Sequence, residues 1–172
     1  ATVKGQDTLV FGEGIRRSDL SYQRSGNNLI IKVGNGSDQI TINNYFAGAN
    51  YQTINTIKLA DGTSWNIQQT GFVFNGTDRN DNITGSQWND TIYGGAGNYV
   101  LTDNSGRNYL DGGDGNDRIT GVGTLVGGAG NDTLTGSGFF IGGTGNDVIK
   151  ANVAGSADTL LFNLGDGKDT IN

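Results

Sequence analysis

The sequence predicts an all-β chain in two parts: a small antiparallel β-domain over residues 1–74 and a coil of short parallel strands over residues 75–172. Glycine fills 31 of the 172 positions, well above its usual share of roughly 7%. The segment GGAGND at 127–132 returns as GGTGND at 142–147, 15 residues later, and a single apolar residue recurs at a fixed place in each repeat. A period this short cannot bury its apolar residue alone, so the repeats must stack on one another.

The first part consists of short apolar runs separated by turn residues. Hairpins are indicated at GNGSD (34–38) and at ADG (60–62), where Asp38 and Asp61 are turn residues. The expected strands are DTLVFG (7–12), NLIIKV (28–33), QITINNYF (39–46), NTIKL (55–59) and TSWNI (63–67). A small sheet needs large side chains to bury enough surface, so the aromatic residues are assigned to its core rather than to a ligand site. These residues are Phe11, Tyr22, Tyr45, Phe46, Tyr51, Trp65, Phe72 and Phe74.

From residue 75 the chain divides into segments of nine residues, two of which are shortened to six. The nine-residue segments begin at residues 76, 85, 94, 103, 112, 127 and 142, and the short ones at 121 and 136. Two segments make one circuit of the coil, with a strand on each face. This arrangement predicts two inward columns of apolar side chains. One column is Ile83, Leu101, Ile119, Leu134 and Ile149, and the other is Ile92, Leu110, Leu125 and Phe140.

The turns of the coil fall on two edges of different composition. Side one is the edge whose turns begin at residues 76, 94, 112, 127 and 142. Side two has the turns that begin at 85 and 103, followed by the two shortened turns, which contain no aspartate. Side one therefore has candidate ligand residues in its turns along its whole length, whereas the turns of side two have none after about residue 108.

Side one stacks aspartates into a ladder. Neighbouring strands lie roughly 4.8 Å apart, so Asp117, Asp132 and Asp147 repel one another unless they take up protons or a cation. The chain has no Cys and no His, so a metal site must be made of oxygen, as hard cations prefer. Glycine turns can direct carbonyls inward, and six or so oxygens favour Ca²⁺ over Mg²⁺. Asx-type turn stabilisation is the alternative. It remains open for Asp81 and Asp90.

The repeated turns resemble the calcium-binding nonapeptide repeats of RTX (repeats-in-toxin, haemolysin-type) proteins, which follow GGxGxDxUx. Residues 75–150 carry the pattern and 151–172 a looser form. The resemblance implies a parallel β-roll, a Ca²⁺ ion between successive turns on one edge, and type I secretion from a bacterium. DTLVFGEGI (7–15), GNGSDQITINNYF (34–46) and IKLADGTSW (57–65) resemble the haemolysin-type calcium-binding related segment of such proteins.

The resemblance assigns metal-binding roles to three complete turns and one partial turn on side one. The pairs Asp117/Asp132 and Asp132/Asp147 are expected to hold calcium, and Asp147/Asp169 is a further pair. Tyr99 occupies an aspartate position, so sites beside that turn lack a carboxylate. The expected metal residues are Gly112, Gly113, Asp114, Gly115, Asp117, Gly127, Gly128, Ala129, Gly130, Asp132, Gly142, Gly143, Thr144, Gly145, Asp147, Gly165, Gly167 and Asp169, with Asp81 and Asp90 as weaker candidates.

These features favour a calcium-binding module, folded by extracellular calcium, of a large, secreted, toxin-like or adhesin-like bacterial protein. The absence of Met also suggests a fragment of something larger. Adhesion to a cell surface or glycan is the alternative. An enzyme is not expected, because the clustered carboxylates already belong to the ladder. Ice binding is disfavoured because the third turn positions, Ala96, Asp114, Ala129 and Thr144, form no threonine row. The net charge of −6 argues against nucleic acid.

Overall fold

The computed structural model describes residues 6–48, 54–151 and 157–172. The chain divides into two compact units, residues 1–72 and residues 73–172. The expectations for Tyr51 and for residues 152–156 of the segment between Asp147 and Asp169 lie outside the described residues. Within the described ranges, no helix has the length and apolar character needed to cross a bilayer.

The first unit contains two small groups of strands. Strands β2, β3 and β4 form an antiparallel meander, and β5 pairs with β1 on one side and β6 on the other. A 3-10 turn at Arg17–Asp19 precedes β2, and a four-residue helix, α1, follows β6. The bounds are β1 Asp7–Val10, β2 Leu20–Ser25, β3 Asn28–Val33, β4 Gln39–Ile42, β5 Ile54–Lys58, β6 Ser64–Asn66 and α1 Ile67–Thr70.

The strands predicted for this unit are present, with three differences. The β1–β5 pairing is parallel, not antiparallel. Strand β4 ends at Ile42, because Asn44 turns the chain with a φ of 59° before Tyr45 enters the core. Strand β2 was not predicted, since its segment LSYQRS lacks a clear apolar alternation. The aromatic core is confirmed for Phe11, Tyr45, Trp65 and Phe72, which are buried.

The second unit is a coil of parallel strands, as predicted. Its strands are β7 Val73–Asn75, β8 Asn82–Thr84, β9 Thr91–Ala96, β10 Val100–Asp114, β11 Arg118–Ala129, β12 Thr133–Thr144, β13 Val148–Ala151, β14 Thr159–Leu161 and β15 Thr170–Ile171. The long strands β10, β11 and β12 each bend around side two and continue on the opposite face. Where β10 meets β11, Asp103 pairs with Gly121 and Asn108 with Gly123, so the longer turn of β10 bulges outward between them.

Both predicted apolar columns are confirmed by the strand register. In the first column each residue pairs with the next, from Ile83 to Ile149, and Ile171 extends the column by one level. The second column runs from Ile92 to Phe140 and continues to Leu160. Its first level is Phe74, which pairs with Ile92. The assignment of Phe74 to the core of the first domain was therefore wrong, because its side chain belongs to the coil.

Replacing Leu125 by alanine tests this core. Leu125 is fully buried between Leu110 and Phe140 in the second column. Truncation of a buried leucine leaves a cavity that stacked backbones cannot close, and costs about 2–5 kcal/mol of unfolding free energy. Thermal unfolding with excess calcium should show a lower midpoint. Val126→Ala, which changes a half-buried neighbour, is the control. An L125A midpoint no lower than that of V126A would contradict the column.

Candidate metal centre

Four aspartates form a hydrogen-bonded ladder on side one, referred to below as the Asp ladder: Asp117, Asp132, Asp147 and Asp169. The backbone N–H of each of the first three donates to Oδ1 of the next, over 2.7 Å, 2.8 Å and 3.0 Å. The N–H of Tyr99 donates in the same way to Oδ1 of Asp117, at 2.7 Å. One oxygen of each carboxylate thus holds two coils in register.

The second oxygen of the ladder carboxylates has a different environment. Oδ2 of Asp117, Asp132 and Asp147 is buried, and none of the described residues donates a hydrogen bond to it. In each turn this oxygen lies above the first glycine, where a side chain would collide with it. The carbonyl of Gly127 also faces the point above Gly112, and the carbonyl of Gly142 faces the point above Gly127. Unpaired oxygens that converge without a donor are costly to bury, and a cation offsets that cost.

The chemistry of the donors suits calcium. Within the described ranges, no three acidic side chains converge on one point, so a metal ion bound here would also need carbonyl oxygens as ligands. Calcium accepts such mixed sets of carboxylate and carbonyl oxygens in flexible geometry, whereas Mg²⁺ retains water and demands a strict octahedron. The third-position carbonyls of Asp114, Ala129 and Thr144 already accept hydrogen bonds from glycine N–H groups of the preceding turn, over 2.7–2.8 Å. Each carbonyl keeps one further lone pair.

The geometry of the turns depends on glycine. Gly128 has a φ of 114°, and a Cβ there would collide with the carbonyl of Gly113 in the turn below. Gly143 stands in the same relation to Gly128. The turns on side one therefore stack backbone against backbone.

Burial shifts the titration of the ladder. Desolvation, together with the charges of Asp117 and Asp147, raises the pKa of Asp132 to about 7, although the hydrogen bond from the N–H of Asp117 lowers it. Desolvation also raises the pKa of Asp117 and of Asp147. Without a cation, the folded ladder therefore binds protons more tightly than the unfolded chain does. The calcium-free fold loses stability as pH rises from about 4 toward about 7.

Calcium binding should weaken as the pH falls below 7. Protons compete for the same carboxylates, and below the raised pKa the calcium affinity should drop by about tenfold per pH unit for each proton displaced. Calcium titrations followed by calorimetry at about pH 8 and about pH 6 measure this. An affinity that is equal at both values would contradict deprotonated ladder aspartates as the ligands.

The partial turn at 164–169 stacks on the complete turn before it. The carbonyl of Asp166 accepts from the N–H of Gly145 at 2.7 Å, and Gly145 bridges Gly167. The N–H of Thr170 donates to the carbonyl of Asp147 at 2.8 Å. The longer segment between Asp147 and Asp169 thus leaves the ladder in register.

Asp81 and Asp90 use their carboxylates differently from the ladder residues. Oδ2 of Asp81 accepts from both the N–H and the hydroxyl of Thr77, at 2.9 Å and 2.6 Å. These hydrogen bonds lower the pKa of Asp81. Oδ2 of Asp90 accepts from the N–H of Ser86. Both carboxylates close their own turns, and in both turns a hydroxyl residue stands where a complete turn has its second glycine.

A second ladder, made of asparagines, was missed by the sequence reasoning. It consists of the fifth turn residues Asn80, Asn98, Asn116, Asn131 and Asn146. Each side-chain oxygen accepts the N–H of the fifth residue in the next turn, over 2.6–3.0 Å. The recurrence of Asn before the aspartate was the available signal. Asp103, which is buried on side two above Gly85, was also missed, because it stands at a glycine position.

Comparisons with known proteins agree with this geometry. Residues 28–69 match the haemolysin-type calcium binding protein related domain, and the RTX calcium-binding nonapeptide repeat matches residues 75–98, 100–123, 120–138 and 139–153. Iron-regulated protein FrpA of Neisseria meningitidis serogroup C is 32% identical over 95 residues, which make up 54% of this chain and 8% of that protein. This chain thus matches only a small part of that relative's length. No solved structure gives a significant match. Residues 75–153 are therefore RTX calcium-binding nonapeptide repeats, folded as a parallel β-roll that binds Ca²⁺, and residues 28–69 are a haemolysin-type calcium-binding related domain.

Proposed function

We propose that Ca²⁺ ions bind between successive turns of side one, at the pairs Asp117/Asp132, Asp132/Asp147 and Asp147/Asp169. Each ion takes carboxylate oxygens from the pair and carbonyl oxygens from the two turns. The supporting observation is the row of buried Oδ2 atoms that no described residue satisfies. The residues proposed for these sites are Gly112, Gly113, Asp114, Gly115, Asp117, Gly127, Gly128, Ala129, Gly130, Asp132, Gly142, Gly143, Thr144, Gly145, Asp147, Gly165, Gly167 and Asp169.

Asp81 and Asp90 are left out of the proposed sites. Their Oδ2 atoms accept hydrogen bonds within their own turns, so a cation would have to displace those bonds. The proposal therefore assigns them the role of turn residues. Asp81→Asn should accordingly leave the number of bound calcium ions unchanged.

Calcium binding is proposed to drive folding of the roll. A glycine-rich acidic chain has a large ordering entropy and repelling carboxylates, and a ligand bound only by the folded state shifts the equilibrium toward that state. Extracellular calcium modules bind at roughly 10⁻⁴–10⁻³ M. The calcium-binding turns from residue 112 onward would then remain unfolded inside a bacterium, pass through a type I secretion channel, and fold outside. In this account the chain is a structural module of a large, secreted, toxin-like or adhesin-like protein and performs no catalysis itself.

Glycan or cell-surface adhesion is a second candidate function, favoured by a recess of about 560 Å³ on side two. The two shortened turns leave this space between Arg107 and Asp158, and Phe139 lines it. An aromatic ring between charged groups is suited to a sugar face and its hydroxyls. Binding of the calcium-loaded protein to a glycan array, lost in Phe139→Ala, would support this candidate.

Isothermal titration calorimetry tests the proposed calcium sites. The full chain at neutral pH should bind several Ca²⁺ ions saturably and show no comparable heat with Mg²⁺. The absence of saturable calcium binding at millimolar concentration would reject the proposal, whatever the fold of the protein.

A further inference from the structure

Tyr99 occupies the position that an aspartate holds in the complete turns, but its side chain is fully enclosed. It is 1% exposed, on side one of the roll, in the turn GGAGNY at 94–99. Its backbone makes the ordinary ladder contact, because its N–H donates to Oδ1 of Asp117. The backbone thus keeps the pattern of the Asp ladder, while the side chain departs from it.

The ring fills the place where oxygens converge in the other turns. A Cβ on Gly94 would lie 2.8 Å from Cδ2 of Tyr99, and a Cβ on Gly76 would lie 2.8 Å from Cε1. The carbonyls of Gly112 and Gly94 face these same two points. In the next two turns, the carbonyls of Gly127 and Gly142 face the corresponding points above the first glycine. Beside those later carbonyls lies an unpaired carboxylate oxygen. Here an aromatic C–H edge takes its place, so no charge needs a cation.

The hydroxyl of Tyr99 supplies a donor to other carbonyls of the neighbouring turns. It donates to the carbonyl of Thr77 in the turn below, and the carbonyl of Ala96 lies 3.2 Å from the same oxygen. Thr77 and Ala96 hold the second and third positions of their turns. A single side chain therefore fills the space between two turns and donates a hydrogen bond to a backbone carbonyl there. In the proposed calcium sites, a bound ion would neutralise the corresponding oxygens.

We propose that Tyr99 is a built-in substitute for a calcium ion, which closes the coils at 76–99 without metal and fixes where the calcium-dependent part of the roll begins. The claim that Tyr99 fixes where the calcium-dependent part begins rests on the proposed calcium sites. The claim of metal-free closure does not rest on them: the coils nearest Tyr99 are folded in the absence of calcium. These coils then offer an ordered strand edge on which the turns at 112, 127 and 142 assemble as ions bind.

The first test compares Tyr99→Asp with Tyr99→Asn by counting bound calcium on the full chain, using native mass spectrometry with Ca²⁺ as the only added metal. The Y99D substitution would remove the ring, open the space above Gly76 and Gly94, and complete a carboxylate pair with Asp117. We expect Y99D to bind at least one more ion than the wild type. Y99N, which makes the same space but adds no carboxylate, should bind the wild-type number. A Y99D count no higher than the wild type would overturn the claim that the ring of Tyr99 occupies a calcium site between the turns at 94 and 112, which is referred to below as the latent site.

The second test measures amide hydrogen exchange in chelator, which does not depend on any ion. Amides of β9 and of Val100–Thr102 should be protected in the wild type. They should exchange about three- to tenfold faster in Tyr99→Phe, which loses the part-buried hydrogen bond to the carbonyl of Thr77. Equal exchange in the two proteins, or no protection in the wild type, would overturn the metal-free closure.

The two tests also separate this inference from the proposed function. A wild type that binds no calcium would reject the calcium sites, and the exchange experiment would still decide whether Tyr99 closes the first coils. A wild type that binds calcium, with no additional ion in Y99D, would reject the latent site alone. If Y99D fails to fold even with calcium, the Phe variant and the exchange rates in chelator still decide the metal-free closure.

Discussion

Asp132→Asn is expected to remove both calcium ions that share this residue, while making the calcium-free fold easier to form. Asp132 belongs to two of the proposed pairs, and its Oδ2 is buried without a donor among the described residues. At a calcium concentration of 100 times the dissociation constant, each lost ion removes about 2.7 kcal/mol of stabilisation. In chelator the sign reverses, because asparagine still accepts the N–H of Asp117 but carries no buried charge.

Asp114→Asn is the matched control for this variant. It makes the same charge change on side one, at an exposed residue whose contribution to a site is its backbone carbonyl. Calcium counts and urea unfolding, with calcium and in chelator, should separate the two variants in both conditions. If D132N binds as many ions as D114N, the Asp ladder is not the calcium site. If D132N is less stable than D114N in chelator, the charge of Asp132 is not a cost to the calcium-free fold.

Gly128→Ala is expected to destabilise the roll in every condition. The φ of 114° at this residue disfavours any side chain, and the new methyl group would collide with the carbonyl of Gly113. A left-handed residue costs about 1–2 kcal/mol, and overpacking adds about 1–3 kcal/mol. The stacking of two calcium-bearing turns would be disturbed as well, so calcium should bind more weakly.

Gly36→Ala is the control for the glycine substitution. Gly36 lies in the hairpin between β3 and β4, and a Cβ there would meet no atom within 4 Å. Thermal unfolding in calcium should therefore give a midpoint near that of the wild type for G36A and a clearly lower midpoint for G128A. Two equal midpoints would show that the turns of side one do not stack as described.

The repeat fold was predictable because its register follows from one periodic apolar residue. Ile119 and Leu134 occur at the same position in two segments with the same residue pattern, so stacking of these segments pairs the two residues. The columns therefore followed from spacing alone. Phe74 was misassigned because it lies before the first glycine of the pattern, where its sequence context is that of an ordinary strand.

The metal centre was predictable in composition but not in detail. Glycine and aspartate at fixed positions indicated the ladder, yet the different uses of Asp81 and Asp132 depend on whether Thr77 or a glycine stands four residues before the aspartate. The role of Tyr99 was hidden for another reason. A tyrosine at an aspartate position indicates a missing ligand, whereas its contacts with Gly76 and Gly94 depend on how far the ring reaches across two coils.

A calcium titration of the full chain, followed by far-UV circular dichroism with Mg²⁺ as the control, tests the central claim most directly. The account predicts that β-structure rises cooperatively as calcium approaches the millimolar range, from a chelated state in which the part around Tyr99 is already formed, and that Mg²⁺ does not replace calcium. A chain that is fully folded in chelator and unchanged by calcium would contradict it. The glycine and aspartate residues would then serve only to form turns and would have no role in calcium-dependent folding.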